Sequence, residues 1–203
     1  EPFLALAEGV RRPHVLVMGA LMHDIGKGHG HGHSERGARM SEGLAERMGW
    51  DADDAEDLVF LVKEHLSMMI ISQRRDMEDT EMVKRFAGRV ETLERLELLT
   101  LLSYADAVST GPEAYTDWKG ALLRELYYRT RDAILGGAGT PGLVERASQR
   151  RQQILMSHEH AGKLASFLSV VSERHVLYHR PSILIQQCDL LDLAVEAGAA
   201  ARV

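Results

Sequence analysis

The sequence predicts an all-α protein, and three observations carry that expectation. Apolar residues recur at three- and four-residue spacings along most of the chain, while alternation of apolar and polar residues is nearly absent. Residues suited to capping helices, among them Ser34, Asp51, Asp79 and Thr92, stand immediately before such segments. Clusters of glycine and proline punctuate the spaces between them.

Taken in order, Pro13 suits a first helical turn, and a helix is expected from there to about Ile25, ended by Gly26 and Gly28. Gly28-His29-Gly30-His31-Gly32-His33 reads as a loop, after which Ser34 is expected to cap a helix running to about Met48 and stopped by Gly49. Asp51 caps the next helix, from about Ala52 to Leu66. In it Leu58, Leu61, Val62 and His65 fall at i, i+3, i+4 and i+7, so His65 shares the apolar face. Gln73-Arg74-Arg75-Asp76 reads as a polar loop, and Asp79 or Thr80 opens a short helix through Val83 and Phe86. Thr92 opens a long apolar helix. Asp106 follows Leu99 and Leu102 there by seven and four residues, which places it on the buried face.

Ser109-Thr110-Gly111-Pro112 interrupts the chain before a helix from Trp118 to Leu135. Residues 136–142, rich in glycine, form the best linker candidate. A helix from Leu143 to Val171, a turn at His179-Arg180-Pro181 and a last helix from Ser182 to about Ala197 complete the chain. The expected organisation is a main domain over 1–135, the linker, and a helical extension over 143–203. The acidic cluster Asp51, Asp53, Asp54, Glu56 and Asp57 reads as a solvated first turn that suits the helix dipole.

The 203 residues suffice for one sizeable domain, with or without an appendage. A net charge of −6 lacks the basic footprint of a nucleic-acid binder. The single cysteine, Cys188, excludes an internal disulfide framework and fits a reducing, cytoplasmic setting. No apolar run approaches the ~20 residues that cross a bilayer, and no basic segment precedes an apolar one as in a signal peptide. The chain opens with Glu1-Pro2-Phe3, without a methionine, and is expected to be a piece of a longer protein.

The chemistry concentrates at His23-Asp24, at the end of the apolar run from Val15 to Met22. His23, Asp24, His65 and Asp106 occupy apolar faces or helix ends, where an imidazole or carboxylate is costly unless paired or bound to a cation. Their spread over three helices suggests convergence. Nitrogen and oxygen donors without thiolate favour Mn, Mg, Fe, Co or Zn in a hydrolytic role. His33 adds a further imidazole. A metal there would lower the pKa of a bound water to about 7, and Lys27 could offset charge on a phosphate. No Ser-His or Cys-His arrangement points to acyl transfer. His29 and His31 lie in the glycine-rich loop, His158 and His160 read as surface residues, and His175 and His179 lie near a turn. His14 precedes His23 by nine residues in one helix, about 13 Å away and half a turn out of phase, so the two cannot share an ion.

Ala20-Leu21-Met22-His23-Asp24-Ile25-Gly26-Lys27, His33-Ser34, His65-Leu66 and Tyr104-Ala105-Asp106 resemble the HD superfamily of metal-dependent phosphohydrolases. Gln73-Arg74-Arg75-Asp76, Thr110-Gly111-Pro112, Trp118-Lys119 and Leu122-Leu123-Arg124-Glu125-Leu126-Tyr127 narrow the likeness to the HD domain of the bifunctional uridylyltransferase/uridylyl-removing enzymes of nitrogen control. The resemblance covers about residues 15–135 and continues more weakly from Arg174 to Leu191, toward that family's C-terminal ACT domains.

It implies an HD-type helical bundle with additional C-terminal helices. It further implies His23, Asp24, His33, His65 and Asp106 as ligands of a divalent metal (Mn or Mg first), Asp24 and Lys27 in catalysis, and release of UMP from a tyrosine of the uridylylated PII signalling protein. The chain offers no match for the family's upstream ligand histidine. The exposed loop at Arg74 and Arg75 is a candidate for holding the nucleotide phosphate. Two alternatives remain open at this point: an HD hydrolase of small nucleotides, and a helical regulatory module with an incomplete metal site.

Overall fold

The computed structural model describes residues 3–28, 30–74, 79–136, 143–156 and 161–196. Among them are twelve helices and no strand, as expected. They are α1 (Leu4–Glu8), α2 (Pro13–Met22), α3 (His33–Met48), α4 (Ala52–Glu64), α5 (Ser67–Arg74), α6 (Thr80–Val90), α7 (Leu93–Thr110), α8 (Asp117–Leu135), α9 (Leu143–Met156), α10 (Ala161–Val170), α11 (Glu173–Tyr178) and α12 (Pro181–Glu196). The backbone divides into two compact units, Glu1–Arg131 and Asp132–Val203.

In the first unit the caps follow side-chain chemistry. Asp51 accepts from the Asp54 N–H at 2.8 Å, Asp79 from those of Glu81 and Met82, and Thr92 from that of Arg95. Two boundaries differ from expectation. α2 ends at Met22, because the chain tightens into three-residue turns, Ile25 N–H to Met22 O and Lys27 N–H to Asp24 O. α3 begins at His33, so Ser34 is not its cap; Gly32 takes that position with a left-handed φ of 77°. The short helices α1 and α5 were not expected, since neither is long enough to show a periodic stripe.

α7 is the centre of the packing and touches α1, α2, α4, α5 and α6. Its Leu96, Leu98, Leu99 and Leu102 are buried, each worth roughly 1.5–3 kcal/mol in removal from water. α3 lies along α4, where Ala45, Leu58 and Val62 pack against Met18, Met22 and Trp50. Gly19 lets α2 approach α4 closely, as a Cβ there would sit 3.1 Å from Leu61 Cδ1.

The acidic cluster is not a solvated turn. Asp57 is 0% exposed and lies between two arginines. Arg12, the N-cap of α2, donates to Asp57, to Asp54 (2.9 Å) and to Glu94 (3.0 Å). Arg95, in the first turn of α7, donates to Asp57 (2.6 Å), to Glu91 (2.8 Å) and to Glu56. A buried carboxylate needs such partners, and here they come from 45 and 38 residues away. Burial opposes ionisation of Asp54, but hydrogen bonds from His14 and Arg12 outweigh it and hold that carboxyl below the usual range.

The second unit has its own core: Ala147, Ile154, Leu164, Leu168, Val176, Leu177, Leu184 and Cys188. Burial, then Asp192 and Asp189, push the Cys188 thiol pKa up, which fits packing rather than reactivity. The single helix expected over 143–171 is two, α9 and α10, with residues 157–160 (His158 and His160 among them) outside the described residues. His175 pairs with Gln187 at 2.7 Å. Among the described residues no helix is long and apolar enough to cross a membrane.

Removing the shared carboxylate leaves two guanidinium groups facing each other in a buried place. Asp57→Ala is expected to lose about 3–5 kcal/mol of stability in urea unfolding. Because the Asp54 carboxyl is lower in the folded chain than in the unfolded one, its contribution is complete above the unfolded value and fades as pH falls through the folded one. Asp54→Asn is therefore expected to flatten the acid limb of a plot of thermal midpoint against pH.

Candidate metal centre

Three helices of the first unit end at one place. His23 is the C-cap of α2 and His65 the C-cap of α4. The last carbonyls of a helix lack backbone partners, and both imidazoles use this. His23 Nδ1–H donates to Ala20 O at 2.8 Å, and His65 Nδ1–H to Val62 O at 2.7 Å. A carbonyl only accepts, so each ring carries its proton on Nδ1 and presents a bare Nε2.

Those Nε2 atoms converge. His65 Nε2 lies 3.4 Å from His33 Nε2, and each is 3.8 Å from Asp24 Oδ1. His23 Nε2 lies 3.2 Å from Asp24 Oδ2 and 3.4 Å from Asp106 Oδ1. Donor atoms of Asp24, His33 and His65 all fall within 4.8 Å of one another. Donors about 2.0–2.2 Å from a common ion stand within about 4.4 Å of each other, so a small closure fits this trio to one cation. Three imidazoles, two carboxylates and no thiolate suit a divalent ion of the Mn, Fe, Co or Zn kind.

His65 forms the floor, 2% exposed, while His23, Asp24, His33 and Asp106 border solvent. Burial, reinforced by His23 and His33, lowers the His65 pKa despite its bond to Val62 and the charge of Asp24. The ring therefore stays neutral, the form a metal requires. Burial raises the Asp24 pKa, but the Lys27 hydrogen bond and the nearby positive groups outweigh it, so Asp24 ionises below the usual range. Lys27 Nζ sits 2.5 Å from Asp24 Oδ2, its ammonium at the rim of the centre.

All five expected donors are thus brought together. Asp106 lies at the edge rather than deep in the core, 28% exposed. His14 stands apart, its Nε2 2.5 Å from Asp54 Oδ2 and its ring edge-on to Trp50. His31 is exposed. Arg75, the Arg74 side chain and His29 lie outside the described residues.

Other supporting groups gave no sign in the sequence. Ser103 Oγ–H donates to the free His65 carbonyl at 3.3 Å, and Thr110 Oγ–H reaches the Asp106 carbonyl at 2.9 Å and its Oδ1 at 3.4 Å. Gly26 is buried where a Cβ would lie 2.1 Å from the His33 carbonyl oxygen. The glycine after the His-Asp pair was the available signal, since it is where two backbones must touch.

Residues 3–111 match the HD domain family, and the chain belongs to it. HD domains are metal-dependent. Within that class the chain is similar to proteins named bifunctional uridylyltransferase/uridylyl-removing enzyme. It is 37% identical over 156 residues to that of Nitrobacter hamburgensis, which covers 74% of this chain and 17% of the relative. It is 38% identical over 167 residues to that of Azospirillum brasilense, covering 82% and 17%. The Rhodospirillum rubrum protein is 32% identical over 173 residues, covering 85% and 18%. The chain thus spans under a fifth of the length of these relatives. No solved structure matches it.

Gly26→Ala is expected to cost about 1–3 kcal/mol or more, since the new methyl meets backbone and not a side chain that can turn aside. The loss is read as a lower midpoint in chemical denaturation.

Proposed function

We propose that this centre is a phosphodiesterase site that removes UMP from a tyrosine of uridylylated PII signalling protein. The observation that carries the reading is the meeting of Asp24, His33 and His65 in an HD domain similar to uridylyl-removing enzymes. His23, Asp24, His33, His65 and Asp106 are assigned as ligands of a divalent metal, with Mn or Mg favoured. When bound, such an ion polarises a phosphoryl oxygen and activates water.

The chain's own groups do the rest. The Ala20 and Val62 carbonyls hold the His23 and His65 rings with Nε2 inward. Lys27 brings an ammonium beside Asp24, where it can turn to a phosphate oxygen once that carboxylate is otherwise engaged. A tyrosine phenolate, of pKa about 10, leaves with little help from a general acid. Arg74 and Arg75 are proposed, from sequence alone, to contact the nucleotide phosphate. The setting proposed is cytoplasmic. The domain division proposed is 1–135 for the catalytic bundle, 136–142 for a linker and 143–203 for an extension.

Incubated with uridylylated PII and Mn2+ or Mg2+, the chain is expected to release UMP, while a panel of free nucleotides and cyclic dinucleotides turns over at least about tenfold more slowly. Asp24→Asn is expected to lose both bound metal and UMP release, with helical content kept by circular dichroism. Faster turnover of free nucleotides would move the assignment to a small-molecule hydrolase. An Asp24→Asn chain that works normally would end it.

A further inference from the structure

Between the turn that carries His23, Asp24 and Lys27 and the helix that carries His33 lies a stretch with little local preference for any shape. Gly28, Gly30 and Gly32 take left-handed φ values of 89°, 79° and 77°. Such a segment does not by itself set the distance between Asp24 at one end and His33 at the other, yet those two side chains must meet.

Arg36, one turn into α3, reaches back across it. Its Nη1 donates to Gly26 O at 2.7 Å and its Nη2 to His31 O at 3.2 Å. Its backbone N–H bonds Gly32 O at 3.2 Å. One planar fork thus grips the carbonyl just past the Asp24 turn and the carbonyl two residues before His33. The grip falls where Gly26 lies flush against the His33 backbone, and Gly37 on the same helix stands 3.0 Å (as a Cβ) from Val62 Cγ1. The turn, the first turn of α3 and the end of α4 are therefore stacked at van der Waals distance beneath the donors.

We infer that Arg36 is a positioning residue of the metal centre: by bridging the two ends of the glycine-rich segment, it sets the separation of Asp24 and His33 and hence the affinity for the ion. The inference rests on the metal reading given above. Arg36 is a cation and touches no metal, and its effect is exerted through the Gly26 and His31 carbonyls. Lysine keeps the charge but cannot hold two carbonyls in a fixed fork, so the charge and the geometry can be separated.

The test uses the whole chain titrated with Mn2+ and with Zn2+ by calorimetry, comparing the parent with Arg36→Ala and Arg36→Lys. Outer groups that orient metal ligands change affinity by about 10–100-fold, so Arg36→Ala is expected to bind about 10–100-fold more weakly, with Arg36→Lys in between. Sub-denaturing guanidinium is expected to restore part of the Arg36→Ala loss, a rescue that a general loss of packing would not show. A folded Arg36→Ala that binds like the parent overturns the inference. Should Arg36→Ala fail to fold, Arg36→Lys decides alone: parental affinity overturns the inference, and weaker binding supports it. A parent that binds neither ion overturns the metal reading and this inference with it. A parent that binds metal but releases no UMP overturns only the proposed substrate.

Discussion

A carboxylate shut away from water, Asp57, holds two guanidinium groups, and much of the first unit is arranged around that contact. Arg12 begins α2, Asp57 lies in α4 and Arg95 lies in the first turn of α7. The same three helices end in His23, His65 and, near its last turn, Asp106. At 1.5 Å per residue, the ion contact and the donors stand about 12–16 Å apart along each helix. Fixing three helices against one another at one level fixes their rotation and height at the other. A leucine core is tolerant of small slips, whereas hydrogen-bonded ions are not. The polar contact supplies the register that the apolar packing of α7 leaves loose.

At the other level the backbone itself completes the design. A helix that stops leaves carbonyls without partners, and His23 and His65 each take one three residues back. The same device used twice gives two rings of one tautomer, both with Nε2 inward. Ser103 and Thr110, both on α7, then satisfy the carbonyls of His65 and Asp106. The centre is built from helix ends because only there are backbone acceptors free to orient side chains.

Much of this was legible in the chain. His65 and Asp106 betrayed themselves as polar residues at apolar positions of a helical period, and the His-Asp pair by its place at the end of an apolar run. Asp51, Asp79 and Thr92 announced their caps because capping is a local matter of one side chain and one N–H. What escaped was non-local or too short. The acidic cluster looked solvated because its arginine partners lie about forty residues away, though Arg95 within a leucine-rich helix, and Arg12 just before a helix start, were lone cations that asked for an explanation. Ser34 looked like a cap, but a glycine in left-handed backbone entered α3 before it. The helices α1, α5 and α11 are too brief for periodicity to register. The break between α9 and α10 carries no proline or glycine signal at its start, so one continuous helix was the natural reading.

The distance between the ion contact and the donors has a practical meaning. Chemistry and architecture are maintained by different residues at opposite ends of the same helices, so one can be disabled while the other persists. A chain blinded at Asp24 keeps the surface that recognises whatever carries the phosphodiester, and lacks only the means to let it go. Such a form is a snare: immobilised, it would retain its natural counterpart long enough for that counterpart to be recovered and identified.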